Sequence, residues 1–204
     1  MNNGDFTNLR ISIIERLRHD LPARLYAHSR GVEACACQIA AMSGNFNLIK
    51  KCSLAALLHD YAKCLPLERM LFIAHKNKIA YPEKAESNAG LLHGYISAFL
   101  AQSEFFLKDR QILSAIANHT LGKAKMNSIE KIIFISDYIE PCRTFSSVEA
   151  LRKKIFSHLI AAGDLNQALL HVVEDKISTL RKLKINIDIT IFKLRDSLAG
   201  IVKI

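Results

Sequence analysis

Residues 54–63 read Leu-Ala-Ala-Leu-Leu-His-Asp-Tyr-Ala-Lys. The first five, Leu54 to Leu58, are apolar on every face of a helix, which marks a helix enclosed by others rather than one lying on a surface. The chain therefore leaves this run inside the protein, and the next two residues are His59 and Asp60. An unpaired, ionised Asp60 there would cost on the order of several kcal/mol in lost hydration, so something positive must meet it. Adjacent helical residues project about 100° apart, so His59 and Asp60 grip one cation together only near the helix end. Taken alone, the pair reads more readily as a neutral buried histidine hydrogen-bonded to a neighbouring carboxylate.

Outward from this segment the pattern stays helical. Gly and Pro number only 8 and 4 in 204 residues, and half the chain is hydrophobic. This predicts an all-α fold with a sizeable core. One domain over 1–204 is expected, with its core at about 20–150 and the helices of 150–204 packed on it. The periodicity predicts a first helix over 7–18 and a second over 23–42, opened by Pro22 and stopped by Gly44. A third, capped by Asn47, should run to about Ala62, and Pro66 should open a short helix through Ala74. Further helices are predicted over 90–102, 109–118, 127–139, 147–161 and 164–183, and the segment from Ile185 reads as a terminal helix that docks on the body or on a partner. Asn127 with Glu130, and Ser146 with Glu149, have capping-box spacing. The polar stretch from Asn77 to Asn88 is the longest break and reads as a loop near the entrance to a site. There is no internal repeat and no low-complexity tract.

The formal net charge is +9. Such an excess attracts polyanions such as nucleotides, nucleic acid or anionic lipid, although a generally basic composition accounts for it equally. Five cysteines, an odd number without CxxC spacing, argue for reduced thiols rather than a disulfide framework or zinc knuckle. Cys35 and Cys37 diverge by about 200° on a helix, so they read as small buried apolar residues, not as joint ligands. The first twenty residues carry Asp5 and Glu15 and do not read as a signal peptide, and no apolar run approaches the roughly 20 residues that cross a bilayer. A cytoplasmic protein without a membrane partner is expected.

Three further histidines change the weight of the His59–Asp60 pair. His28 falls in the second predicted helix, His93 near the start of the 90–102 helix, and His119 at the end of the 109–118 helix. Asp137 lies just past the apolar run Ile132 to Ile135. Helical folds build metal centres from imidazoles and carboxylates at inward-facing positions, so the group as a whole points to a divalent ion.

These residues sit in recognisable runs: Tyr26-Ala27-His28-Ser29-Arg30-Gly31-Val32, Ala55 to Lys63 with its HDxAK core, Leu92-His93-Gly94, Asn118-His119-Thr120-Leu121-Gly122, and Asp137-Tyr138-Ile139-Glu140-Pro141-Cys142-Arg143. The series resembles the signature of the HD metallophosphohydrolase superfamily, a compact helical bundle, and is most similar to the symmetrical diadenosine tetraphosphate hydrolases of the YqeK type. Departures from that pattern are Tyr95 after His-Gly, Ser136 before Asp137, and Ser146-Ser147 in place of a Pro-Gly turn.

The resemblance implies that His28, His59, Asp60 and Asp137 hold the metal, with iron the suggested ion and manganese or another divalent ion the alternative, and one or two ions in all. Asp60 would bridge them if there are two. It implies a metal-activated water that attacks phosphorus in a nucleotide polyphosphate, giving two ADP from diadenosine tetraphosphate. Asp60, Lys63, His93 and His119 are the implied catalytic residues, and Lys63, His93, His119, Thr120, Gly122, Tyr138 and Arg143 the implied substrate contacts. Whether His93 and His119 take a second ion or donate to phosphate stays open. Lys63, three residues past Asp60, projects from nearly the same face if the helix continues, and Arg143 offers a bidentate fork to phosphate. A small residue at Gly122 lets backbone approach a ligand, although helix termination explains it equally. Nucleic acid is not expected as a partner, and a homodimer is open. The rival readings are the same site acting on a guanosine alarmone or another nucleotide, and a non-catalytic signalling or nucleic-acid-binding module with a degenerate pocket.

Overall fold

The computed structural model describes residues 2–200, and ten α-helices and one short 3-10 turn account for the regular structure. No strand occurs among the described residues, so the expected all-α class is the observed one. The first three helices are α1 (Asn3–Asp20), α2 (Ala23–Ala41) and α3 (Phe46–Leu58). Every residue of α3 from Cys52 to Leu58 is buried, as an all-apolar helix requires. α2 lies along α3, while α1, α5 (Ala89–Glu104), α6 (Arg110–Asn118) and α7 (Ser128–Ile139) also pack against it.

The main core joins Ile13 and Leu17 of α1, Val32 and Ala36 of α2, Leu54 and Leu57 of α3, Ile116 of α6 and Ile132 to Ile135 of α7. Each large aliphatic side chain withdrawn from water here contributes about 1.5–3 kcal/mol. A smaller cluster forms where α4 (Leu67–Lys76) meets α5, with Ala62, Met70, Leu92 and Ile96 at its centre. Beyond the site, α8 (Ser146–Ala162) and α9 (Leu165–Lys182) pack on α7 and on each other. α10 (Ile189–Leu198) then docks on α9. The segment predicted as a terminal helix from Ile185 is therefore helical only from Ile189, and residues 201–204 lie outside the described chain.

Capping explains most of the boundaries. The side chains of Asn2, Asn45, Asp109, Asn127, Asp164 and Asp188 each accept from a free amide in the adjoining first turn. Asn127 and Glu130 form the capping box expected of them. Two capping expectations are corrected. Asn45, not Asn47, caps α3, because Asn45 has the extended backbone and its side-chain oxygen reaches the amides of Asn47 and Leu48 at 3.0 and 3.1 Å. Ser146 does not cap α8, which begins at Ser146 itself after Phe145, so Glu149 lies one position too far along to complete the box.

Two other differences bear on function. α3 ends at Leu58 rather than near Ala62. From there the chain turns tightly, with Tyr61 N–H donating to Leu58 O, Lys63 N–H to Asp60 O and Leu65 N–H to Ala62 O. The Ser97 hydroxyl holds this turn by accepting from Ala62 N–H at 3.0 Å. No residue of the Asn77–Asn88 loop, expected near the site entrance, lines the cavity beside His28. The loop lies against the start of α10, where Lys84 pairs with Asp188 at 2.5 Å.

Candidate metal centre

His28 comes from the second turn of α2, His59 and Asp60 from the turn after α3, His93 from the second turn of α5, His119 from the end of α6 and Asp137 from the last turn of α7. Separated by more than a hundred residues of chain, they meet at one point. His28, His59 and Asp60 bring ligand atoms within 4.8 Å of one another, and so do Asp60, His93 and His119. Asp137 joins the first group, its Oδ1 3.1 Å from His28 Nε2. Gly94 makes the second group attainable: a Cβ there would lie 2.9 Å from Ala117 O and 3.3 Å from His119 Cε1, so only glycine lets α5 and α6 close up and bring His93 to His119.

Asp60 is fully buried and shared by both groups. Its Oδ2 faces His28 Nε2 and His59 Nε2 at 3.4 and 3.3 Å, and its Oδ1 faces His93 Nε2 and His119 Nε2 at 3.0 and 3.4 Å. The other ring nitrogens are already engaged. His59 Nδ1 donates to Ala56 O and His119 Nδ1 to Ile116 O, both at 2.7 Å, and His93 Nδ1 faces Ala89 O at 3.3 Å. With their protons on Nδ1, these rings aim Nε2 lone pairs at an anion. The His93 and His119 Nε2 atoms are 3.0 Å apart, and Asp60 Oδ1 has no hydrogen-bond donor. Lone pairs crowded around a buried, donorless carboxylate oxygen repel one another unless a cation stands among them. The mixed imidazole and carboxylate donor set suits a divalent transition metal, so the residues fit the group.

The electrostatics point the same way. Burial works to raise the Asp60 pKa, but the surrounding histidines outweigh it and hold the carboxyl well below its usual range; Asp137 is held down similarly, chiefly by His28. Burial works to lower the His28 pKa, yet its pairs with Asp137 and Asp60 hold it up at about 10. Burial lowers that of His93, against the pull of Asp60.

The remaining expected residues divide. Lys63 reaches Asp60 Oδ2 at 2.7 Å, through the tight turn rather than a continued helix. Arg143 reaches Asp137 Oδ1 at 3.3 Å and lies over the Tyr138 ring. Thr120 Oγ1 is 3.2 Å from His119 Nε2. Tyr138 donates its hydroxyl to Asp175, away from the cluster. Gly122 adopts φ +67 and its α-carbon faces Leu194, Met126 and Phe134, so the structure ties it to helix termination and core packing, not to a ligand.

Sequence reasoning missed Glu140. It is 2% exposed, its Oε1 lies 3.2 Å from His28 Nδ1, and its Oε2 accepts from Cys142 N–H. Its place one turn past Asp137 was the available signal. Arg152 was missed too, and it holds the post-α7 turn by donating to the carbonyls of Ile139, Glu140 and Arg143. Nothing local in the sequence points to it.

A cavity of about 500 Å³ opens onto this centre, and its lining includes the polar His28, Lys63, Glu140 and Arg143 and the apolar Pro22, Leu25 and Phe145. A larger hollow of about 590 Å³, beside Asp20, Tyr61 and Glu104, touches none of the clustered histidines, and the chemistry belongs to the smaller one.

The HD domain family model matches residues 25–142, which contain all of the clustered histidines and aspartates. The chain is 36% identical to the symmetrical bis(5'-nucleosyl)-tetraphosphatase of Bacillus subtilis (strain 168), over 81% of this chain and 84% of that one. It is 30% identical to the protein of the same name from Staphylococcus aureus (strain NCTC 8325 / PS 47), over 86% and 84%. Among solved structures, a Clostridium acetobutylicum protein described as a predicted HD superfamily hydrolase involved in NAD metabolism superposes with a TM-score of 0.81, at 32% identity, over 94% of this chain and 97% of that one.

Proposed function

This chain belongs to the HD-domain family, and we propose that it hydrolyses diadenosine tetraphosphate and related dinucleoside polyphosphates symmetrically, at the central phosphoanhydride bridge. It is a hydrolase of phosphoric anhydride bonds. Water oxygen bonds to one of the two central phosphorus atoms, the bridging oxygen leaves with the other half, and two ADP result. The observation that carries this reading is Asp60, buried between two pairs of imidazoles with one oxygen lacking a donor, in a chain that aligns over most of its length with relatives of that name.

His28, His59, Asp60 and Asp137 are the proposed ligands of a divalent ion, iron first and manganese next. His93 and His119 share Asp60 and offer the place for a second ion. A bound divalent ion acidifies water toward neutrality and offsets charge on phosphate oxygen. The side chains have separable tasks. His119 and His93, held by their Nδ1 donors, keep Nε2 directed at the centre. Lys63, half exposed, and Arg143 stand where the polyphosphate enters and neutralise the charge that gathers on the leaving phosphate. Pro22, Leu25 and Phe145 offer an apolar wall to a nucleoside. Thr120 is proposed as a minor substrate contact; Tyr138 and Gly122 are not, since one is tied to Asp175 and the other to the core.

No described helix is long and apolar enough to cross a membrane. We place the protein in the cytoplasm, as one domain, with homodimerisation to be measured.

The test is elemental analysis of purified protein, then incubation with diadenosine tetraphosphate and chromatography of the products, beside Asp60→Ala. Bound metal and ADP as sole product, both lost in the variant, support the reading. Metal without that turnover overturns the substrate and directs attention to other nucleotides, the second reading favoured by the description of the Clostridium neighbour. Absence of metal overturns the reading altogether.

A further inference from the structure

The cations around the metal centre are not alike. Lys63 is paired with Asp60 at 2.7 Å and Arg143 with Asp137 at 3.3 Å. Lys176, on α9 and outside the family match at 25–142, has no carboxylate paired with it among the described residues. Its Nζ lies 4.7 Å from the centre of the Phe134 ring, and its hydrogen-bond acceptor is the carbonyl oxygen of Thr120, at 2.8 Å. Thr120 Oγ1 in turn lies 3.2 Å from His119 Nε2, so Lys176 stands one residue behind the ligand cluster. The charges that act on it are Asp137, Arg143 and Lys63, those of the centre itself. Burial draws its pKa down to about 8.

A half-buried cation without a paired carboxylate costs stability, and such arrangements persist where an anion arrives to complete them. Here Lys63, Arg143 and Lys176 balance the carboxylates Asp60, Asp137 and Glu140, and a bound divalent ion would leave the centre net positive, matched to a guest of high negative charge. We propose that Lys176 binds the polyphosphate of the substrate directly, as a third phosphate-neutralising cation beside Lys63 and Arg143, contributed by a helix outside the HD segment. The site requires a guest with several linked phosphates, which a monophosphate does not satisfy. This rests on the proposed phosphohydrolase function, and the competing role for Lys176 is a tether that holds the Thr120 turn in place.

Lys176→Met removes the charge and keeps the packing against Phe134; Lys176→Gln repeats the measurement with a polar side chain, and Lys176→Arg retains the charge. The full metal-loaded protein is titrated calorimetrically with inorganic tripolyphosphate, and metal content and melting temperature are recorded. The expected result for Lys176→Met and Lys176→Gln is a loss of tripolyphosphate affinity of about tenfold or more, the range for a charge-assisted hydrogen bond. Metal content should be unchanged, and the Lys176→Met melting temperature should rise by about 3 °C as an uncompensated charge is removed. Lys176→Arg should recover most of the affinity. Unchanged affinity in both uncharged variants overturns the proposal, and so does loss of metal with a lower melting temperature, the mark of a tether. If the wild type binds tripolyphosphate through Lys176 but does not cleave diadenosine tetraphosphate, the substrate reading fails and the Lys176 assignment stands.

Discussion

Two carboxylates lie buried near α2 and α3, Glu33 at 3% exposure and Asp60 at 0%. Glu33 accepts hydrogen bonds from Arg10 Nε and Ser53 Oγ, both at 2.6 Å, and the Arg30 guanidinium lies beside it as a second cation, with Nε at 3.0 Å. Its charge is met by the protein alone, and it ties α1, α2 and α3 together. Asp60 Oδ2 is met by Lys63 and by His28, while the rings of His59, His93 and His119 that also face Asp60 have their proton committed elsewhere. Burial alone therefore does not mark a functional acid. What separates the two is whether the partner atoms carry protons or lone pairs.

The largest effect that would break this comparison is at Asp60. Asp60→Ala should abolish metal binding and reduce turnover by about three orders of magnitude or more, several kcal/mol at about 1.36 kcal/mol per decade. Elemental analysis and steady-state rates check it together; a variant that keeps its metal would return Asp60 to the class of Glu33.

Glu33→Ala should behave in the opposite way. It strands Arg10 and Arg30, each about a third exposed at 32% and 38%, so the cost falls near the low end for breaking a buried pair, about 3 kcal/mol of stability. Denaturant unfolding measures the loss, and the metal content of the folded fraction should stay at the wild-type level. Loss of metal from folded Glu33→Ala would dissolve the distinction.

Glu140→Gln sharpens the comparison, because Glu140 contacts a proposed ligand without being one. It removes the charge behind His28 Nδ1, and such supporting partners are worth roughly 10–100-fold in metal affinity or activity. The readout is a metal-competition titration, with turnover restored at saturating metal. Gly31 belongs to the same device, since a Cβ there would lie 2.5 Å from Glu140 Oε2.

The smallest effect is expected at Asp20, which accepts from the Tyr61 hydroxyl outside the histidine cluster. Burial works to raise its pKa, but hydrogen bonds from His19, Tyr61 and Arg16 outweigh it and hold the pKa at about 2. A depressed carboxylate contributes stability that is present above its unfolded value, near 3.8, and is lost as pH falls toward 2. Asp20→Asn should therefore cost less than about 1 kcal/mol at pH 7, since the group is partly exposed, and the difference from wild type should vanish in acid melts between about pH 4 and 2. A difference that persists at the acid end would assign the effect to packing instead.

The helical class and the enclosed position of Leu54 to Leu58 were legible in the sequence because periodicity and composition are local properties, and so was the capping box at Asn127 and Glu130. The residues that cluster could be named too, because histidine and aspartate at inward-facing positions carry their chemistry with them. The end of α3 at Leu58 was not legible. The residues from His59 to Ala62 have ordinary helical propensity, and the turn is held by Ser97, more than thirty residues away. Nor could the sequence say that Asp60 stands between two histidine pairs, that Glu140 backs His28, or that Lys176 closes on the Thr120 turn. Those are relations between helices, decided by which faces pack and how closely Gly94 lets α5 approach α6. Residue types set what chemistry the chain could perform; the packing of α2, α3, α5, α6 and α7 brought the donors to one point, because a lone pair has a direction only once its helix has a place.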